Sequence, residues 1–190
     1  MKVVFLDVDG VMNNLEDSRR IMDEAMDHPE LWDTADDPTP KAIALLKGIC
    51  EKTGAYVVLS SSWRCCLPSL QKMIDVFLDN GIPFAGVTSE GVRLSNVEKY
   101  GIKIPDHRRP RWRQNKLSDH DYLVEERGIE IVAFLKAHPK ITSFVAIDDE
   151  AEDIEPYIPD NLVKTNAFVG LTEDDAAKAV DILTREEKTK

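Results

Sequence analysis

The chain has no apolar run of the ~18 residues or more that a membrane-spanning helix requires, and its apolar start, VVFL (3–6), is broken at once by acids, too early for the core of a signal peptide. Cysteine is scarce. Cys50, Cys65 and Cys66 form no CxxC pair, and two adjacent thiols cannot staple distant parts of a fold, so reduced interior or near-surface cysteines are expected, with a reactive thiol as the other reading. His28, His107, His120 and His138 show no metal-ligand spacing. Low-complexity tracts and internal repeats are absent. Together these gaps lead to the expectation of a cytoplasmic protein with no membrane partner. At 190 residues the chain suffices for one domain with a proper core and perhaps an insertion.

Positive charge is also in short supply. A net charge of −11 argues against whole-surface affinity for nucleic acid. One stretch departs from this: KIPDHRRPRWRQNK (103–116) carries Lys103, Arg108, Arg109, Arg111, Arg113 and Lys116 against the single acid Asp106. A basic island on an acidic chain suggests a local anion site, with a solvated loop as the other reading. Trp112 inside it would suit stacking and clamping of a single strand.

What the chain does have is a regular alternation of short apolar runs and amphipathic stretches. KVVFL (2–6), AYVVLS (55–60), IPFAGVT (82–88), TSFVAI (142–147) and NLVKTN (161–166) read as strands. Helices are predicted over RRIMDEAMDH (19–28), from Thr39-Pro40 to Gly54, over LPSLQKMIDVFLDNG (67–81) with a glycine stop, over GIEIVAFLKAHP (128–139), and over TEDDAAKAVDILTRE (172–186) with Thr172 as N-cap. Strands alternating with helices predict an α/β fold: a doubly wound, Rossmann-like parallel sheet, here as one domain over 1–190. Residues 89–126 lack clear periodicity and read as a long loop or small lid insertion.

In such sheets ligands bind beyond the carboxyl ends of the strands. Three predicted strands end in chemically loaded residues: Asp7 and Asp9, then Ser60, then Asp148 and Asp149. Acids 4 Å apart repel by about 4 kcal/mol at an effective dielectric near 20, so a cation must offset their convergence. An all-oxygen set of this kind suits Mg²⁺ better than Zn²⁺. Ser60 adds a hydroxyl donor, with Ser61 and Ser62 as alternatives in the turn. Arg127, opening a helix that leads into the strand at 142–147, is the candidate cation, and Lys116 is the reserve. Asn13 would line the entrance or form the turn; Arg111 belongs to the basic stretch that would contact substrate. Trp63 is expected to pack under its turn.

The ordered set FLDVDGV, VVLS, a basic residue opening a helix, and VAIDD resembles the haloacid dehalogenase (HAD) superfamily of Mg²⁺-dependent phosphotransferases. More narrowly, DVDGVMN with VLSSSWR, ERGIEIVAFLKAHP and AIDDE resembles the small HAD domains also found in nucleic-acid repair proteins, over residues 2 to about 183. The resemblance implies a HAD-type fold with a minimal cap. It further implies Asp7 as a nucleophile forming an aspartyl-phosphate and Asp9 as the acid/base. Ser60 would hold phosphoryl oxygens and Arg127 would stabilise charge on phosphorus and Asp7. Mg²⁺ would lie on Asp7, Asp148, the backbone carbonyl of Asp9, and Asp149 directly or through an outer shell. Response-regulator receivers gather similar groups but in a different order along the chain. An EF-hand is excluded by Val11 and Met12.

Residues 11–37 are too few for a large cap, so the site should be open to phosphorylated small molecules or macromolecule ends. Three readings follow: a phosphate-monoester hydrolase, a 3′- or 5′-end nucleic-acid phosphatase gripping with 103–116, and a non-catalytic phosphate- and Mg²⁺-binding regulatory module.

Overall fold

The computed structural model describes residues 1–104, 116–118 and 121–185. Arg111 and Trp112 lie outside the described residues, as does most of the basic stretch; of Lys116 only the backbone is described. Among the described residues no helix is long and apolar enough to cross a membrane.

The apolar runs become β1 (Lys2–Leu6), β2 (Tyr56–Leu59), β3 (Phe84–Val87), β7 (Ser143–Asp148) and β8 (Leu162–Lys164), which form one sheet in the order β3-β2-β1-β7-β8. Every pairing in it is parallel. Because successive strand residues face opposite sides, β1 supplies both layers of the core. Val4 and Leu6 pack with Leu46 and Ile49 of α2 (Pro40–Thr53), Met73 and Phe77 of α3 (Leu67–Asp79), and Ala179 and Leu183 of α6 (Glu173–Thr184). Val3 and Phe5 pack instead with Ile131 of α5 (Arg127–Ala137) and with Ile154 and Ile158. A strand buried on both faces has to read as a continuous apolar run, which KVVFL does.

Helix ends follow local chemistry. Thr39 caps α2 by accepting the Ala42 N–H, and Gly54 closes it in the left-handed conformation, φ 69°. Thr172 and Asp175 form a reciprocal capping box at the start of α6. One helix differs from the sequence reading. The first, α1, spans Leu15–Ala25, starting four residues before the expected Arg19, because Asn14 accepts the Asp17 N–H and caps it there.

Residues 89–126 hold more regular structure than their pattern suggests. Strands β4 (Val92–Arg93), β5 (Lys116–Ser118) and β6 (Asp121–Val124) make an antiparallel sheet in the order β4-β6-β5, with α4 (Leu94–Lys99) beside it. Val92, Val97 and Val124 pack on Ile129 and Ala133 of α5. Strands of two to four residues are too short to display a period of two, which is why the sequence reads as loop.

Helix α5 therefore sits between the two sheets, and its close approach depends on Gly128. A Cβ there would lie 2.6 Å from the Asp153 carbonyl oxygen, a backbone atom that cannot swing away. Gly128→Ala is expected to cost about 1–3 kcal/mol of stability through overpacking, read as a lowered denaturation midpoint with an unchanged denaturant slope.

Candidate active site

The site is built where β1 and β7 end. Their pairing sets Leu6 opposite Ile147, and the Asp7 N–H donates to the Ile147 carbonyl at 3.0 Å. Asp7 and Asp148 are thereby delivered side by side at the carboxyl edge, both buried. Beyond Asp7 the chain turns sharply, with the N–H groups of Val11, Met12 and Asn13 all donating to the Val8 carbonyl. Gly10 takes φ 68° in this turn, and a Cβ on it would fall 2.5 Å from Asp149 Cγ. Glycine is required twice over, for the backbone angle and for the space that Asp149 fills. Thr165 Oγ1 secures the turn from below by donating to the Gly10 carbonyl at 2.8 Å.

Asp7, Asp148 and Asp149 each offer a carboxylate oxygen within 4.8 Å of the others. Arg127 reaches into this group from the start of α5, its Nη1 lying 2.8 Å from Asp7 Oδ2 and 2.6 Å from Asp148 Oδ2. Burial opposes the guanidinium charge, but Asp148 and Asp7 outweigh it and hold its pKa above the ordinary value. Burial pushes the Asp148 carboxyl up to about 7, against the pull of Arg127 and with the charge of Asp7 adding to the rise. Asp149 is raised for the same reasons, burial first and Asp7 second. One guanidinium among three carboxylates would leave two negative charges uncompensated with all three acids ionised. The donor set is oxygen only, so the arrangement fits a hard divalent cation held by Asp7, Asp148 and Asp149.

Asp9 is separated from this cluster. It is exposed, and its carboxylate accepts hydrogen bonds from Trp63 Nε1 at 3.1 and 3.0 Å and from Asn13 Nδ2 at 2.9 Å. Asn13 is buried and fully engaged inside the loop. Its Oδ1 takes the Gly10 N–H, and its Nδ2 also donates to the Asp36 carbonyl. This geometry makes Asn13 part of the turn.

One strand over, Ser60 directly follows β2, its N–H donating to the Leu6 carbonyl at 2.8 Å and its Oγ accepting from Thr88 Oγ1 at 3.4 Å. Ser61 is equally buried, but its hydroxyl accepts the Trp63 N–H and caps the 3₁₀ turn Ser62–Cys65. Ser60 is thus the serine next to the strand tip, and Ser61 caps the turn that follows.

Two features escaped the sequence reading. Trp63 packs against the core as expected but also binds Asp9. Arg64 and Glu130 form a buried ion pair at 2.7 Å, their side chains 7% and 5% exposed. Arg64 also donates to the Ser61 and Ser89 carbonyls, and Glu130 accepts the Gly91 N–H at 2.7 Å. Burial raises the Glu130 pKa, with Arg64 and the Gly91 N–H opposing. The only sequence signal for the pair was the position of Glu130, one helical turn beyond Arg127. The two groups border a cleft of about 200 Å³ beside Arg127, whose wall also includes Glu90, Glu125 and Glu150.

A family model for the HAD domain in Swiss Army Knife RNA repair proteins matches residues 3–176, from β1 into α6. No curated protein and no solved structure matches the chain. HAD domains are in general hydrolytic and phosphatase-like and generally use Mg²⁺. The aspartate-bearing strand tips and the resemblance read from DVDGVMN and AIDDE meet in the same match: this chain belongs to the family of HAD domains found in Swiss Army Knife RNA repair proteins.

Proposed function

We propose that the protein is a Mg²⁺-dependent phosphate-monoester hydrolase acting through an aspartyl-phosphate on Asp7. The observation that supports this reading is the pairing of Asp7 with Arg127 inside a three-carboxylate cluster, while Asp9, two residues on, stands outside it. Asp7 Oδ attacks phosphorus, and the bond from phosphorus to the ester oxygen breaks. The electron pair stays on that oxygen, which takes a proton from Asp9. In the second step Asp9, now a carboxylate, accepts a proton from water as its oxygen attacks phosphorus. The bond to Asp7 then breaks and the Asp7 carboxylate is restored.

Arg127 offsets charge on Asp7 and on the phosphoryl oxygens through both steps, and Ser60 donates a hydroxyl hydrogen to one of those oxygens. Asp7, Asp148, Asp149 and the backbone carbonyl of Asp9 are the proposed holders of the metal. When bound, Mg²⁺ would neutralise the acids and polarise the phosphoryl group. Ser61 and Asn13 are assigned to the turns that surround the phosphate, and Lys116 and Arg111 to the substrate's outer parts.

The family's occurrence in RNA repair proteins favours a phosphorylated nucleic-acid end as a second, narrower reading, with 103–116 as the grip. A panel of nucleotides, sugar phosphates, phosphopeptides, p-nitrophenyl phosphate and 3′- or 5′-phosphorylated oligonucleotides separates the readings. Selective loss of oligonucleotide turnover after replacing Arg108, Arg109, Arg111 and Arg113 by Gln would favour the narrower one. No hydrolysis anywhere on the panel would favour a binding module.

Asp7→Asn is expected to abolish turnover, by ~10³-fold or more, the scale on which removing a nucleophile acts. Unchanged turnover would remove the nucleophile assignment.

A second prediction follows from protonation. Folded Asp148 titrates at about 7 against 3.8 for its ordinary value, so the folded chain holds a proton over this interval that the unfolded chain has lost. This group therefore makes the metal-free protein less stable as pH rises from about 4 to about 7. Mg²⁺ competes for the same oxygens, and its stabilising effect on Tm should grow over the same interval. Thermal melts with and without Mg²⁺ test this, and Asp148→Asn should lose both the metal shift and its pH dependence.

A further inference from the structure

We infer that Trp63 is a positioning residue for Asp9, holding the carboxyl where its proton can pass to the leaving oxygen; this rests on the acid/base reading of Asp9 above. An exposed aspartate on a turn has several open rotamers and no reason to keep one. Asp9 keeps one because two donors from separate elements grip it. Trp63 Nε1 bridges both oxygens, 3.1 Å to Oδ1 and 3.0 Å to Oδ2, and Asn13 Nδ2 adds a bond to Oδ1 at 2.9 Å.

Both donors are themselves fixed. The indole packs against the main core cluster, and the Trp63 backbone N–H is held by Ser61 Oγ. Asn13 is tied to Gly10 and Asp36. The chemistry of the donors matters as much as their place. An indole N–H and an amide N–H donate only and take up no proton near neutral pH, unlike a hydroxyl or an imidazole. They orient the carboxyl without becoming a destination for its proton. Oδ1 accepts two bonds and Oδ2 one, which assigns Oδ2 as the oxygen with a free lone pair to carry the proton.

Trp63→Phe removes the N–H and keeps most of the packed ring. The test measures kcat/KM with Mg²⁺ for phenyl phosphate, whose leaving group needs a proton, and for p-nitrophenyl phosphate, whose leaving group departs readily without one. Wild type, W63F, D9N and the double variant are compared. W63F should lose about tenfold on phenyl phosphate, the scale of one hydrogen bond to a charged group, and about threefold or less on the nitrophenyl ester. In the D9N background W63F should have no further effect, the non-additivity expected when one residue acts through another.

A readout independent of turnover is the indole N–H resonance that disappears in W63F, which should move in Asp9→Ala. Equal W63F losses on the two esters, losses that multiply in the double variant, an unmoved resonance, or a W63F protein that melts below assay temperature would each overturn the inference. A D9N protein as fast as wild type on phenyl phosphate would overturn the acid assignment itself. Wild type inert on both esters would remove the hydrolase reading and this inference with it, whereas a normal D9N loss with any of the preceding results removes the role of Trp63 alone.

Discussion

The register between β1 and β7 is the constraint on which the site depends. Leu6 faces Ile147 across the pair, so the next residues of the two strands, Asp7 and Asp148, emerge together at one edge. A slip of one residue would invert the faces of a strand, sending Val4 and Leu6 into the layer of Val3 and Phe5 and turning one aspartate away from the other. The register is secured by burial on both sides of the sheet. The apolar contacts that specify the fold are thus the same ones that force two carboxylates together against their repulsion. Gly10 extends the constraint by leaving the space that Asp149 occupies.

The cation that answers this repulsion comes from the other layer. Helix α5 presents Arg127 to the acids and, one turn on, Glu130 to Arg64, while Gly128 lets the helix seat closely on residues 153–157. A buried ion pair such as Arg64–Glu130 adds little net stability, since desolvation offsets most of its attraction. Its value lies in direction. Arg64 ties the turn after β2 to α5, and Glu130 ties α5 to Gly91 at the start of the small antiparallel sheet. Three chain segments around the cleft are held in one relation by two side chains, and breaking either would leave a buried charge uncompensated.

Much of this was legible in the sequence because the main sheet is buried on both faces. Five apolar runs located its strands, and acids at the end of two of them marked the edge. Arg127 was legible as a basic residue opening a helix before the strand at 143. Elements specified by only a few residues were not legible. Strands β4, β5 and β6 are too short for periodicity, and the start of α1 rests on one Asn14–Asp17 contact. The hydrogen bond from Trp63 to Asp9 spans 54 residues and has no local pattern, since an indole that packs on a core and an indole that also donates look alike in a sequence. Ser60 was favoured over Ser61 in the sequence because it ends the apolar run, whereas the capping of the 3₁₀ turn by Ser61 has no such pattern.

Asp7 and Asp9 show how the fold gives one residue type two different environments. Two positions apart, they differ in almost every physical respect. Asp7 is buried, paired with a guanidinium and crowded by two other acids. Asp9 is exposed, and its recorded partners are neutral N–H donors. The guanidinium beside Asp7 offsets the carboxylate's charge, which suits the nucleophile role proposed for it. Asp9 has neutral N–H donors on its carboxylate where Asp7 has a guanidinium. Two neighbouring acids in unlike surroundings are what the proposed division between nucleophile and acid/base would draw on. The separation needs no more than the reversal after Val8, which turns one side chain toward β7 and α5 and the next toward the turn after β2.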